Sequence, residues 1–227
     1  MTEDTQQEEA FANPGVGGMV ADWSGDRETF NLPWGKVMMW IFLLSDTFIF
    51  SIFLTGYMNV RMSATDSWPN TSEVFALEMF GAPLPLLLIA IMTFALITSS
   101  GTMAMAVNFA YRGDKRMTAI LMAATALLGA SFVGMQVFEW SKLIFHEGVR
   151  PWGNPMGASQ FGSVFFMVTG FHGLHVSAGV IYLAIVAHKV GRGDYEERGY
   201  DIVEIAGLYW HFVDLVWVFI FALFYLW

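Results

Sequence analysis

Cysteine is absent from this sequence of 227 residues. Disulfides, zinc–thiolate sites and cysteine-ligated iron–sulfur clusters are therefore excluded, and thiol content cannot indicate a redox compartment. Charged residues are also scarce, at 14%, compared with about 25% in typical soluble domains. The 11 Lys and Arg residues form no basic patch of the kind that binds nucleic acid. A disulfide scaffold and a nucleic-acid-binding domain are both disfavoured.

Hydrophobic residues are abundant instead, making up 56% of the chain. They form long segments, each at least about 20 residues, the length that an α-helix needs to cross a hydrocarbon core of about 30 Å. The pattern predicts an all-α, polytopic membrane protein, a bundle of five transmembrane helices. The predicted helices cover residues 37–58, 83–111, 117–145, 161–188 and 203–227.

The N-terminal residues 1–35 are polar and precede the first long apolar segment. We expect them to form a flexible, acidic cytoplasmic tail, with residues 36–227 as the membrane domain. Because the acidic tail has no basic region followed by a short apolar core, we expect the first apolar helix to be retained rather than cleaved as a signal. Seven acidic residues fall in this tail: Glu3, Asp4, Glu8, Glu9, Asp22, Asp26 and Glu28.

Basic residues in the short loops predict the orientation. Loops on the cytoplasmic side of membrane proteins carry an excess of Lys and Arg. With the N-terminus inside, eight basic residues face the cytoplasm: Arg27, Lys36, Arg112, Lys115, Arg116, Lys189, Arg192 and Arg198. Three face the opposite side: Arg61, Lys142 and Arg150. We therefore expect the N-terminus inside and the C-terminus outside.

Ionisable residues inside the apolar segments are the candidate functional residues, because each costs about 2.5–3.5 kcal/mol on insertion scales. Asp46, near the middle of the first segment, is interpreted either as a proton-active carboxylate or as a carboxyl hydrogen-bonded to a neighbouring helix. For Glu139, near the outer end of the third segment, an interfacial pair with Lys142 is favoured over a proton-related role. Glu204 lies near the inner end of the last segment.

The fourth segment carries His172 and His175, and the fifth carries His211 and Asp214, each pair at a spacing of three residues. Residues at this spacing lie on one side of a helix. We predict a shared buried polar cluster between these two helices, in which the histidines donate hydrogen bonds to Asp214 and the backbone. Zinc, copper or haem iron is a weaker alternative, because no open coordination position or axial ligand pair is indicated. Contacts with lipid or with a partner protein are a further alternative role for these four residues.

Four stretches of the sequence carry a resemblance to a known family. They are "FFMVTGFHGLHVSAG" at 165–179, "VEIAGLYWHFVDLVWVF" at 203–219, "GMQVFEW" at 134–140 and "WIFLLSD" at 40–46. The chain from 37 to 227 resembles subunit III of the haem–copper terminal oxidases, in the five-helix form found in bacteria.

The resemblance implies a subunit without a redox metal or a catalytic centre of its own. Haem and copper are then expected in subunits I and II, of which subunit I is the main partner. The chain would stabilise that subunit, bind phospholipid and support proton uptake in an enzyme that reduces O2 to water and pumps protons. The expected location is the bacterial inner membrane, and His172 and His175 are expected to be structural.

Two carboxylates bear on the electron donor. Asp46 occupies the position at which cytochrome c oxidases of this family usually carry a carbodiimide-reactive glutamate, and the "SD" found here resembles the quinol-oxidase type. Glu204 resembles the cytochrome c oxidase type, which we favour. Quinol oxidase subunit III, the related accessory subunit of nitric oxide reductase, an independent proton-coupled transporter and a self-contained metalloenzyme are the alternatives.

Overall fold

The computed structural model describes residues 25–26, 32–75, 77–79, 82–84, 86–196 and 199–227. The prediction of a flexible acidic tail over 1–35 falls largely outside these residues and stays a prediction. The chain divides into two units, residues 1–45 and residues 46–227. In the first unit, strand β1 (Gly25–Asp26) pairs antiparallel with β2 (Leu32–Pro33), and helix α1 (Trp34–Ser63) begins.

The second unit contains the rest of α1 and all later elements. A short helix and a hairpin connect α1 to the next long helix; these are α2 (Thr71–Val74), β3 (Leu77–Met79) and β4 (Ala82–Leu84). The long helices are α3 (Leu87–Tyr111), α4 (Lys115–Phe145), α5 (Gln160–Arg192) and α6 (Asp201–Phe221). A π-helical segment, Ala222–Leu226, continues α6.

Five of these helices, α1, α3, α4, α5 and α6 with its π-helical extension, are long and apolar enough to cross a membrane. The predicted all-α fold class with five membrane-spanning helices is therefore confirmed. The second spanning helix begins at Leu87 and not at residue 83, because residues 82–84 belong to the hairpin. Pro83 suits this position, since proline has no N–H to contribute to a helix.

Local sequence explains where the helices begin and end. The side chain of Asp114 accepts a hydrogen bond from the backbone N–H of Met117 at 3.0 Å, which caps the first turn of α4. Gly193 follows α5 with a φ of 89°, a left-handed conformation that glycine adopts without steric cost. These two residues fix the short connections on one side of the bundle.

Helices α3, α4, α5 and α6 form a closed ring in which α3 packs on α4, α4 on α5, α5 on α6 and α6 on α3. Large aromatic side chains fill the centre, among them Trp210, Trp217 and Phe132, all fully buried. Trp210 lies against Gly129 of α4 and Gly179 of α5. Small residues of this kind let helices approach closely in lipid, where the hydrophobic effect does not drive packing.

The part of α1 that belongs to the second unit packs beside α5 and α6. The ring of Phe50 lies 5.2 Å from that of Phe171 on α5 and 6.4 Å from that of Phe212 on α6. Tyr57 stacks on Phe224 at 3.9 Å and donates a hydrogen bond to the carbonyl of Leu223 at 3.0 Å. These contacts turn the face of α1 that carries Asp46 toward α5.

Candidate functional site: a buried carboxylate–histidine pair

Asp46 and His175 form the best-defined polar contact inside the bundle. Nε2 of His175 on α5 lies 3.1 Å from Oδ2 of Asp46 on α1. Asp46 is only 4% exposed. Because a buried charge without a partner is costly, the close approach of these two groups is what makes the carboxylate tolerable there.

The second ring nitrogen of His175 hydrogen-bonds to the backbone of its own helix. Nδ1 lies 2.9 Å from the backbone carbonyl oxygen of Phe171, which can only accept a hydrogen bond, so Nδ1 carries a hydrogen. Nε2 faces Oδ2 of Asp46 at 3.1 Å, but the two atoms are not aligned as a hydrogen bond, and Oδ2 has no hydrogen-bond partner among the residues that the structure describes. The pair is therefore a close contact between an imidazole and a buried carboxyl group.

His172 lies one turn from His175 in a different environment. It is 1% exposed, its ring stacks on Trp217 at a centroid distance of 5.4 Å, and the edges of Phe132 and Phe50 face it. Neither ring nitrogen has a hydrogen-bond partner among the residues that the structure describes. His172 contributes packing to the aromatic core rather than a hydrogen bond to its neighbours.

His211 and Asp214 belong to a second polar group, on the side of α6 that faces α3. Nδ1 of His211 lies 2.6 Å from Oγ of Ser100 on α3, and the Ser100 hydroxyl also interacts with the Asp214 carboxylate. Nδ1–H of His211 can donate to the Ser100 hydroxyl, and this hydroxyl can donate in turn to Asp214, because a hydroxyl accepts one hydrogen bond and donates another.

Among the residues that the structure describes, the four side chains of the predicted cluster, His172, His175, His211 and Asp214, do not join in one hydrogen-bonded group. His175 pairs with Asp46 on α1, and His211 pairs with Ser100 on α3. Trp210 explains the division: its ring packs against Gly179 and so occupies the contact between α5 and α6. The next residue on α6 is rotated by about 100° around the helix, toward α3.

Glu139 is buried near the end of α4, only 3% exposed. Its Oε2 lies 3.2 Å from Nε2 of Gln136 and 3.3 Å from the hydroxyl of Tyr225 in the π-helical segment, and both groups can donate to it. Lys142, the interfacial partner expected from the sequence, forms an ion pair with Glu147 at 3.7 Å. Glu139 is thus buried in the bundle, where Gln136 and Tyr225 donate hydrogen bonds to it and Lys142 also acts on it through its charge.

We predict that Tyr225→Phe lowers the free energy of unfolding by about 1 kcal/mol, because it removes one hydrogen bond to a buried carboxyl and preserves the ring. Denaturant titration of the purified protein in mild detergent measures this change. Tyr182→Phe is the matched control, since no hydrogen bond of the Tyr182 hydroxyl is found among the described residues. Equal effects of the two substitutions would show that the hydrogen bond to Glu139 contributes nothing.

Glu204 lies in the first turn of α6, where acidic residues match the positive end of the helix dipole. The hydroxyl of Tyr111 at the end of α3 donates a hydrogen bond to its Oε2. A cavity of about 230 Å³ adjoins this contact, and it is lined by Val107, Ala110, Tyr111, Tyr200, Asp201 and Glu204.

Sequence analysis does not single out Ser100, Tyr225 or Tyr111, although each contacts a candidate residue. Each contact joins residues far apart in the chain, such as Ser100 and His211 at a separation of 111 residues. Hydroxyl residues are common in membrane helices, so composition gives no signal for these three. Within the part of the chain that the structure describes, no group of three or more His, Cys, Asp or Glu residues is arranged to hold a metal ion.

Comparison with known proteins gives the family. The model of the family "Cytochrome c oxidase subunit III" matches residues 21–227, nearly the whole chain. The chain belongs to this family. It is a subunit III of a haem–copper oxidase, and it assembles with other subunits of such a complex.

Relatives of the chain carry two kinds of name. "Probable quinol oxidase subunit 3" of Staphylococcus saprophyticus is 31% identical over 191 residues, which is 84% of this chain and 88% of that protein. "Cytochrome c oxidase subunit 3" of Alkalihalophilus pseudofirmus is 31% identical over 187 residues, 82% of this chain and 84% of that protein. A "Probable quinol oxidase subunit 3" of Staphylococcus aureus is 31% identical over 201 residues, 88% and 92% respectively.

Proposed function

We propose that the chain is the subunit III of a cytochrome c oxidase in a bacterial plasma membrane, with its N-terminus inside. It stabilises subunit I, binds phospholipid and supports proton uptake into an enzyme that reduces O2 to water and pumps protons. Haem and copper belong to subunits I and II in this proposal, and this chain holds none. The family assignment and the eight-to-three distribution of basic residues support it.

The Asp46–His175 pair carries the proposal for proton uptake. It is buried, and its two titratable groups lie 3.1 Å apart. With one proton on either group such a pair is electrically neutral and so can hold that proton in hydrocarbon at low cost; passing the proton on leaves one negative charge, which a proton taken up from the aqueous side then neutralises. Asp46 thus acts as a proton-holding group that assists the catalytic subunits, and not as part of the O2-reducing centre.

A quinol oxidase is the second candidate, and two observations favour it. The residue pair "SD" at 45–46 resembles the quinol type, and two of the relatives reported above carry that name. Glu204, which accepts a hydrogen bond from Tyr111, resembles the residue of the cytochrome c oxidase type and so supports that type. The donor itself is tested on the assembled enzyme.

The test is purification of the tagged chain from its native membrane in mild detergent, followed by visible spectroscopy and mass spectrometry. We expect haem and copper absorption together with two larger membrane subunits, and O2 consumption driven by reduced cytochrome c. If only a quinol drives O2 consumption, the electron donor is a quinol and not cytochrome c. A colourless chain without partners would contradict the whole proposal.

For Asp46→Asn we expect normal assembly and a modest decrease in turnover. Asparagine keeps the size of the side chain and can hydrogen-bond to a neutral His175, but it cannot exchange a proton. The measurement is steady-state O2 consumption by the purified complex, normalised to its haem content. Asp66→Asn, at an exposed loop position, is the control. Complete loss of O2 reduction with the metals still bound would show that Asp46 belongs to the catalytic machinery.

A further inference from the structure

The group formed by Ser100, His211 and Asp214, here called the polar seam, lies where α3 meets α6. His211 is ten residues after Asp201, the first residue of α6, and therefore about 15 Å along that helix. At this depth the polar seam is inside the hydrocarbon region of a membrane about 30 Å thick.

The polar seam is only partly buried, unlike the Asp46–His175 pair. All three of its side chains are intermediate in exposure. Apolar side chains beside it face outward: Ile97, one turn before Ser100 on α3, is 53% exposed, and Leu215, one turn after His211 on α6, is 55% exposed. Polar groups thus lie at the outer surface of the bundle, between side chains that contact its surroundings.

Hydrogen bonds inside the chain satisfy the polar seam incompletely. Ser100 engages Nδ1 of the His211 ring, and no partner of Nε2 is found among the described residues. Oδ1 of Asp214 also has no hydrogen bond there, but this atom is buried inside the chain and is not presented to its surroundings. In a bilayer such groups face other protein or a water-filled cavity rather than lipid, because acyl chains offer no hydrogen bonds.

We propose that the polar seam docks a transmembrane helix of another subunit of the oxidase, which presents a polar side chain to His211. The group that remains available is Nε2 of His211, which the hydrogen bonds through Ser100 leave as an acceptor, so the complementary helix carries a hydrogen-bond donor. The acidic residues of the N-terminal segment do not fit this chemistry, because an ionised carboxylate only accepts hydrogen bonds. The inference rests on the proposed function, since it requires the assembled oxidase.

The chain has no cysteine, so a cysteine introduced into it is the single labelled site of this subunit. Leu215→Cys and Ile97→Cys, each labelled with a benzophenone maleimide in the purified complex, are expected to form covalent adducts with one other oxidase subunit, identified by mass spectrometry. Leu174→Cys on α5, at a position 70% exposed, gives the reference yield for a position away from the seam. Adducts only with lipid or with a second copy of this chain, in a complex that retains its haem, would overturn the proposal.

A substitution tests the contribution of the imidazole. One interhelical hydrogen bond in a membrane raises the association constant of two helices by about threefold to twentyfold. We therefore expect His211→Leu to weaken retention of the other subunits by about threefold to twentyfold in a detergent-dilution assay, whereas His188→Leu at an exposed position should have no effect. Unchanged retention with His211→Leu would contradict the docking role. Failure to recover any haem-bearing complex with the unmodified chain would instead contradict the proposed function.

Discussion

Replacing Gly129 with leucine is expected to prevent stable folding of the four-helix ring. A Cβ atom at this position would lie 2.8 Å from Cζ2 of Trp210 and 2.8 Å from Cγ2 of Val180. Trp210 cannot move aside easily, because it is fully buried and its Nε1 donates a hydrogen bond to Ser99 at 2.9 Å. Overpacking at such a site costs about 3 kcal/mol or more.

Gly134→Leu provides the matched control on the same helix, since a Cβ atom at Gly134 meets nothing within 4 Å. The measurement is the yield of monodisperse protein and its midpoint of thermal unfolding in detergent. We expect Gly129→Leu to lose most of the folded protein and Gly134→Leu to resemble the unmodified chain. Equal behaviour of the two variants would show that α4 does not approach α6 as closely as the structure indicates.

The number of membrane-spanning helices could be predicted from the sequence because hydrocarbon thickness imposes a minimum apolar length on every such helix. That constraint acts on each segment separately, so it needs no knowledge of tertiary contacts. The exact start of the second helix could not be predicted in this way, since the hairpin at 82–84 is as apolar as the helix that follows it.

The partners of the polar side chains depend on helix rotation, which apolar length does not determine. The three-residue spacing places each polar pair on one side of its helix, but it does not say which neighbouring helix that side faces. The contact between Trp210 and Gly179 determines the rotation of α6 against α5, and it turns His211 and Asp214 toward α3. A steric contact between a large and a small residue therefore decides which hydrogen bonds form.

Glu139 shows a second limit of sequence reasoning. Lys142, three residues away, is an obvious partner in a local view of the helix. The hydroxyl that contacts Glu139 belongs to Tyr225, which lies in the π-helical continuation of α6. The five-residue hydrogen-bond period of that segment changes the direction in which Tyr225 points, and the local sequence carries no clear signal for it.

The portion of α1 from Asp46 onward is held to the rest of its unit at two levels. Near one end Asp46 contacts His175. About four turns further along, Arg61 donates a hydrogen bond to the carbonyl of Trp227 at 2.5 Å and lies over the indole ring at 4.3 Å. Because the outward face of α1 is largely exposed, these polar contacts and the aromatic ones between them provide much of its attachment.

Removing one partner of the Asp46–His175 pair is therefore expected to destabilise the protein strongly. His175→Leu keeps an apolar side chain of similar volume beside Phe50, but it leaves a buried carboxyl without its partner. The expected loss in the free energy of unfolding is about 3–5 kcal/mol, the usual cost of breaking a buried pair from one side. The double variant Asp46→Leu/His175→Leu removes both polar groups and should recover most of this loss.

A double-mutant cycle in detergent, with denaturant titration of all four proteins, measures the coupling between Asp46 and His175. Buried ion pairs replaced by apolar residues on both sides are often as stable as the original, so the two substitutions should not be additive. Additive losses would mean that the 3.1 Å contact contributes no interaction energy. If the double variant is stable but O2 reduction is slowed, the pair serves proton supply rather than assembly, because stability alone would not require a carboxylate at residue 46.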